Sequence, residues 1–201
     1  MPIKPDREYR SMPLLSPSEV KRIQTDFYVE GYATTFNDPY VLFESDGKQY
    51  KEMVDRNALV GADMSDIIMQ YDHAGRVRAR TSNGSLGAEP DSHGLFMFAD
   101  LSKSTAAREL FEDISSGMIT RMSWAFTVAE DEYDEKNRTR IIKRIRKVYD
   151  LSAVSLPANP GTEISARSYF DGVIEAEKQE LLRRQSELEL ARKRYEFIGV
   201  I

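Results

Sequence analysis

The chain has 201 residues, no cysteine and a formal net charge of −5 at pH 7. The lack of cysteine excludes a disulfide framework, a thiolate zinc site and a cysteine nucleophile, and the mixture of acidic and basic residues argues against a nucleic-acid-binding protein. A hydrophobic content of 41%, with ten Tyr and nine Phe, is enough for the core of one medium-sized domain.

The first half of the chain predicts a proline-containing arm followed by short strands. Residues 1–25 carry four prolines and little periodicity, which is typical of an extended arm, and the fold is expected to start near Asp26. Alternating apolar residues between turn signals predict the strands Phe27–Phe36, Tyr40–Phe43, Tyr50–Val54, Ile67–Tyr71 and Gly94–Leu101. Gly31 suggests a bulge or bend, and Asp55–Val60 is predicted to form one helical turn.

The second half predicts one internal helix and a long hairpin. Apolar residues in Thr105–Ile114 share one helical face, and Gly117 is placed to end that helix. A strand then alternates through Trp124, Phe126 and Val128, and Ile141–Tyr149 pairs back with it. The predicted organisation is an arm at residues 1–25, a domain at 26–168 and a helical segment at 169–201.

The helical segment has a narrow apolar stripe. Ile174, Leu181, Leu188 and Tyr195 recur at seven-residue spacing in a stretch dense in charged residues, which predicts a long amphipathic helix over Phe170–Ile198. Packing on its own domain, coiled-coil pairing and docking on a partner all remain open for this helix.

Two partner classes are not expected. The run Arg138–Lys147 holds six basic residues but follows an acidic turn, so a charged hairpin facing water is favoured over a nucleic-acid patch. No apolar run approaches the roughly 18 residues that span a bilayer, and the N-terminus lacks a signal-peptide apolar region. The sequence therefore predicts a soluble, intracellular protein without a membrane partner.

One serine and one histidine are candidates for nucleophilic catalysis. Ser123 lies where a helix turns back into a strand, a position that holds a hydroxyl firmly. A hydroxyl needs a base, and His73 at the end of an apolar strand is the better of the two histidines. Asp150, at the predicted start of the last core strand, is preferred over Asp72 for orienting the imidazole, because adjacent strand residues point to opposite faces. Ser152 would share a face with Asp150 and is a candidate auxiliary contact.

Other site chemistries find little support. One well-placed histidine with scattered acids gives no metallohydrolase ligand spacing, and glycine-rich phosphate loops are absent from the sequence. No metal or cofactor is expected.

Five segments in order resemble the prohead protease family of tailed bacteriophages. The likeness runs from about Asp26 to Ser168, and REYRS at Arg7–Ser11 resembles the start of that family. The segments are GYATTF at Gly31–Phe36, YDHAG at Tyr71–Gly75, GLFMFADL at Gly94–Leu101, SGMITRMSWAF at Ser116–Phe126 and DLSAVSLPANPGTEISARS at Asp150–Ser168.

The resemblance implies a fold and a set of site residues. The expected fold is mainly β with helices (α+β), a β-barrel core like that of the herpesvirus assembly proteases, flanked by helices and followed by the long C-terminal helix. The family's serine and histidine map onto Ser123 and His73, and an acidic third member maps onto Asp150. His93 ranks behind Asp150 for that third role, which a second histidine fills in the herpesvirus enzymes. Ala125 departs from the glycine usual in the family and would narrow the site.

The implied function is a serine endopeptidase that matures the phage capsid. Its expected partners are the major capsid protein with its scaffolding region, the protease itself as a substrate, and a second copy in a homo-oligomer, with no nucleic acid or membrane. Its expected location is the host cytoplasm, inside the immature prohead. The alternatives are a non-catalytic scaffold or capsid-assembly module with a protease-like fold, and a small β-barrel that binds nucleic acid through Arg138–Lys147.

Overall fold

The computed structural model describes residues 7–16, 20–155 and 163–198, and it has the predicted α+β class, with most elements being strands. Within these residues the elements are β1 Glu8–Leu15, β2 Tyr28–Thr35, β3 Tyr40–Ser45, β4 Lys48–Val54, β5 Ile68–Tyr71, β6 Ala74–Arg80, a 3-10 helix Thr81–Asn83, β7 Leu86–Pro90, β8 Gly94–Asp100, α1 Thr105–Ser115, β9 Arg121–Asp134, β10 Thr139–Val154 and α2 Glu163–Ile198. The chain forms two compact units, Met1–Ser165 and Ala166–Ile201.

The ten strands form one sheet in the first unit. Its main order is β3-β4-β10-β9-β1-β2-β8-β7, while β5 pairs with β10 and β6 pairs with β5. The pairs are antiparallel except that β10 runs parallel to both β4 and β5. The two ends of the order, β3 and β7, do not pair with each other in the described residues, so the predicted closed barrel is not confirmed.

Strand β1 lies inside the stretch predicted to be an extended arm. It is hydrogen-bonded between β9 and β2, with Ser11 opposite Ser123 and Leu14 opposite Gly31. The sheet therefore includes residues 8–15, well before the predicted start of the fold. The charged side chains of β1 are typical of a solvent-exposed segment. In the structure they form ion pairs and are largely buried.

A buried ion network joins β1 to β4 and β10. The carboxylate of Glu52, which is 0% exposed, accepts hydrogen bonds from Arg10 Nε and Nη2 at 2.6 and 2.7 Å and from Arg140 Nη1 at 3.2 Å. Tyr40 also donates its hydroxyl to Glu52 at 2.6 Å. Burial alone would lower the pKa of Arg10, but the Glu52 charge outweighs it and raises that pKa above its usual range. The network thus holds the strand beside Ser123 through charged groups.

We expect Glu52→Gln to lower the free energy of unfolding by about 3–5 kcal/mol, because it removes the fully buried carboxylate that Arg10 and Arg140 share and leaves Glu8 as the one carboxylate common to both. The matched control is Glu130→Gln, since Glu130 pairs with Arg144 at 3.8 Å and both side chains are more than half exposed. That control should cost about 1 kcal/mol or less. Urea unfolding of both variants checks the prediction, which is wrong if the two lose equal stability.

The internal helix and the core agree with their sequence patterns. Ser104 Oγ caps α1 by accepting a hydrogen bond from the Ala107 amide at 3.1 Å, and Gly117 follows the helix with φ of 78°. Trp124 and Phe126 are 0% exposed and stack with ring centroids 4.0 Å apart. One face of β9 therefore belongs to the core, and its alternate residues lie on the other face.

Two local predictions are wrong. Residues 55–60 form successive turns rather than a helical turn, with the Ala58 amide donating to the Asp55 carbonyl. Strand β10 also runs unbroken from Thr139 to Val154, so Asp150 lies inside it and not at a strand start. Bulges, including one between Val148 and Asp150, let this long strand keep its pairing with β9 through the change from charged to apolar sequence.

No helix among the described residues is both long and apolar enough to cross a membrane.

Candidate active site

His73 lies in a tight turn between β5 and β6. Tyr71 pairs with Ala74, so Asp72 and His73 alone form the connection, and their φ angles are 48° and 55°. Two consecutive residues with positive φ are typical of a type I′ hairpin, in which Asn, Asp and Gly are favoured. Non-glycine residues with positive φ are uncommon, and such backbone conformations recur at functional sites.

The imidazole of His73 contacts the carboxylate of Asp150. Nδ1 of His73 bonds to Oδ1 of Asp150, and each side chain is 4% exposed. The Ser152 hydroxyl donates to the same Asp150 oxygen at 2.8 Å and accepts from the backbone amide of Gln70 at 3.1 Å. Asp150 is therefore held from two sides, and a carboxylate at Nδ1 favours the tautomer whose Nε2 can accept a proton.

The two residues ranked behind Asp150 have other partners. The carboxylate of Asp72 accepts hydrogen bonds from the amide and the hydroxyl of Ser155, at 2.9 and 2.8 Å. His93 is exposed and its ring packs edge-on against Tyr32, with centroids 4.5 Å apart. The structure thus brings Asp150 to His73 and leaves Asp72 and His93 in separate contacts.

Ser123 lies on the same sheet face as Asp150. In the ladders around β9, Ser123 is opposite both Ser11 of β1 and Ser152 of β10, and Ala125 is opposite Asp150. Residues directly opposite each other share a face, and so do residues two apart on a strand. Along β9, Ser123 is therefore two residues, or about 7 Å, from Ala125, which lies opposite Asp150.

Among the facing serines Ser11, Ser123 and Ser152, Ser123 is the one whose hydroxyl has no hydrogen-bond partner among the described residues. Ser11 Oγ accepts from Arg121 Nε at 3.1 Å, and Ser152 Oγ is bound to Asp150 and Gln70 as described above. The Ser123 hydroxyl makes no hydrogen bond within the part of the chain that the structure describes, and its residue is 4% exposed. His73 Nε2 is likewise buried with no partner there. An unengaged hydroxyl and an unengaged ring nitrogen are the two groups that a serine nucleophile and its base require.

Tyr9 is a neighbour of the site that the sequence analysis missed. Its ring packs edge-on against the His73 ring, with centroids 4.7 Å apart. Burial raises the pKa of Tyr9, and the negative charge of Asp150 raises it further, so the phenol stays neutral near pH 7. The REYRS segment that contains Tyr9 contributed to the resemblance, but nothing in its pattern assigned it a contact with the histidine.

The described residues contain no group of three or more His, Asp or Glu side chains arranged to hold a metal ion.

The chain resembles known proteins over most of its length. A family model described as Caudovirus prohead serine protease matches residues 16–173, a range that includes His73, Ser123 and Asp150. The prohead protease of Enterobacteria phage HK97 is 29% identical to the chain over 145 residues. That alignment covers 72% of the chain and 61% of the HK97 protein, which is less than two thirds of the relative's length. No solved structure gives a significant match.

Proposed function

The chain belongs to the caudovirus prohead serine protease family, and from this premise we propose that it is a serine endopeptidase of capsid maturation. The observation that carries the proposal is that two unengaged groups, Ser123 Oγ and His73 Nε2, belong to residues at one sheet face, with no hydrogen bond between them. Within the described residues His73 Nε2 is buried without a partner, while His73 Nδ1 is bound to Asp150. This is the division of roles that a Ser-His-Asp triad needs.

In the proposed mechanism Ser123 Oγ attacks the carbonyl carbon of the scissile peptide bond. His73 Nε2 takes the hydroxyl proton as the Oγ–C bond forms, and Asp150 stabilises the resulting imidazolium. The same proton passes to the leaving amine when the C–N bond breaks, which gives an acyl-enzyme. Water, deprotonated by His73, then cleaves the ester and restores Ser123.

The proposed substrates are the scaffolding part of the major capsid protein and the protease chain itself. The proposed location is the immature prohead in the host cytoplasm, where several copies would act together. The family likeness also carries the prediction of a barrel of the herpesvirus assembly protease type.

Co-expression with the capsid and scaffolding proteins of the same phage tests this function. We expect the wild-type chain to yield shortened capsid protein by intact mass, and Ser123→Ala to yield only the uncut protein. Ser11→Ala is the matched control, because Ser11 lies opposite Ser123 in the ladder but its hydroxyl is bound to Arg121. It should still trim the capsid protein.

Equal, uncut masses from the wild type and Ser123→Ala in assembled proheads would contradict the proposal. The non-catalytic assembly module would then be the better account of the chain.

A further inference from the structure

Strand β6 begins directly after His73 and carries three arginines. Its sequence, AGRVRAR, has Arg76, Arg78 and Arg80 at alternate positions. In the described part of the sheet β6 pairs only with β5, so it is an edge strand. Residues 74–77 are exposed, and Val77 is 41% exposed. A peptide that approaches His73 from this edge therefore meets a basic surface.

Ladder register places Arg80 on the sheet face of the proposed triad, with Arg78 two positions before it on the same strand. Ile68 of β5 is the partner of both Asp150 on one side and Arg80 on the other. Partner residues share a face, so Arg80 lies on the face of Asp150, and Arg78 lies two positions before it, where the β5–β6 ladder becomes irregular between Met69 and Tyr71. Ala79, between them, is 3% exposed and belongs to the core. Since two strand spacings separate β6 from β10, the arginine side of β6 lies about 10 Å from the Asp150 strand.

Only one of the three arginines is neutralised by a neighbour. Arg80 pairs with Asp66 at 2.5 Å, whereas Arg76 and Arg78 form no ion pair with any described residue. The Nε of Arg78 is a buried donor without a hydrogen-bond partner there. A buried guanidinium nitrogen left unsatisfied is costly, and a carboxylate is the group that best satisfies it.

Arg7 adds a further positive charge to the residues around His73. Arg7 lies over the Tyr149 ring at 3.5 Å from its centroid, and it also contacts Tyr9, the ring that packs on His73. The negative groups nearest in the chain are already engaged, since Asp150 binds His73 and Asp72 binds Ser155. Neither carboxylate forms an ion pair with Arg76 or Arg78, so these two guanidiniums have no acidic partner among the described residues.

We propose that Arg76 and Arg78 determine substrate specificity by binding an acidic side chain of the peptide close to the scissile bond. This inference rests on the proposed function and adds the chemical class of substrate to it. An acidic peptide is favoured over a nucleic acid because the two arginines stand beside the histidine proposed to act on a peptide bond. The chain as a whole is also acidic, with a net charge of −5.

A library of natural peptides, digested by the full chain and analysed by mass spectrometry, tests this assignment. We expect cleavage positions to be enriched in Asp or Glu at one fixed site near the cut, with kcat/KM about tenfold higher for an acidic peptide than for its amide counterpart. Arg76→Glu with Arg78→Glu should remove that preference and favour Lys or Arg at the same site. If the double variant does not fold, Arg76→Glu alone is tested in its place, because Arg76 is exposed.

Arg56→Glu is the control, because Arg56 is exposed and lies in the turn after β4. Its cleavage profile should equal that of the wild type. Wild-type cleavage that depends on Ser123 but shows no acidic preference, or a profile unchanged by Arg76→Glu, would overturn the inference while leaving the protease function standing. Absence of any Ser123-dependent cleavage would overturn both.

Discussion

Replacing Ser123 with alanine is expected to lower kcat for peptide cleavage by about 10⁶-fold, because loss of the nucleophile removes the covalent route entirely. The side chain is small and its hydroxyl makes no hydrogen bond to a described residue, so the variant should fold normally. Unfolding by urea should give a midpoint close to that of the wild type. The rate is measured on one peptide found to be cleaved by the wild type.

Ser11, which lies opposite Ser123 on β1, provides the control for this prediction. Ser11→Ala removes a hydroxyl from the same face, one strand away, and also removes its hydrogen bond from Arg121. It should retain most of the activity. Similar losses in Ser11→Ala and Ser123→Ala would mean that the face is sensitive to any change, and the assignment of Ser123 as nucleophile would fail.

Asp150→Asn is expected to lower kcat by about 10⁴-fold with little change in KM. The carboxylate accepts the Nδ1 proton of His73 and keeps Nε2 free to receive a proton from the serine. An amide of the same shape can instead donate to Nδ1, which favours the wrong tautomer and does not stabilise the imidazolium. Single-turnover kinetics on the same peptide separates this loss in the chemical step from a loss in binding.

Asp72→Asn is the matched control for Asp150→Asn. Asp72 is adjacent to His73 in the chain, but its carboxylate binds Ser155, and asparagine tolerates the positive φ of 48° at that position. Its kcat should remain within about tenfold of the wild-type value. A larger loss in Asp72→Asn than in Asp150→Asn would reverse the assignment of the third residue.

Local patterns in the sequence predicted most of the strands and the internal helix. Alternation through Trp124 and Phe126 identified β9, and the apolar face of Thr105–Ile114 with Gly117 beyond it identified α1. These features depend on neighbours in the chain, so periodicity and turn residues are sufficient to find them. The pairing order of the strands depends on distant partners and was not predicted from the residues.

Strand β1 shows why the predicted arm missed part of the sheet. Glu8 and Arg10 are charged, and charged residues in a proline-containing segment indicate exposure when only the sequence is known. Their partners Glu52 and Arg140 lie more than 40 residues away, so the burial of this network is a property of the tertiary structure. Tyr9, whose contact with His73 depends on the same strand, was missed for the same reason.

The contact between His73 and Asp150 was expected, but the means of achieving it was not. Sequence reasoning treated Asp72 and His73 as strand residues on opposite faces, whereas both form a turn with positive φ. The preference for Asp150 over Asp72 came from that strand argument, and the structure supplies a different reason, since Asp72 is bound to Ser155. The arginines of β6 had no visible role in the sequence, because their exposure and face depend on the register with β5.

The most direct test of the account is reaction of the full chain with a fluorophosphonate, followed by intact mass and peptide mapping. We predict one adduct per chain, located on Ser123, with labelling lost in His73→Ala and retained in Asp72→Asn. A catalytic serine reacts with such reagents because its base has made it nucleophilic, and an ordinary buried serine does not. An unlabelled wild-type chain, or an adduct on Ser11 or Ser152 in place of Ser123, would contradict the central claim.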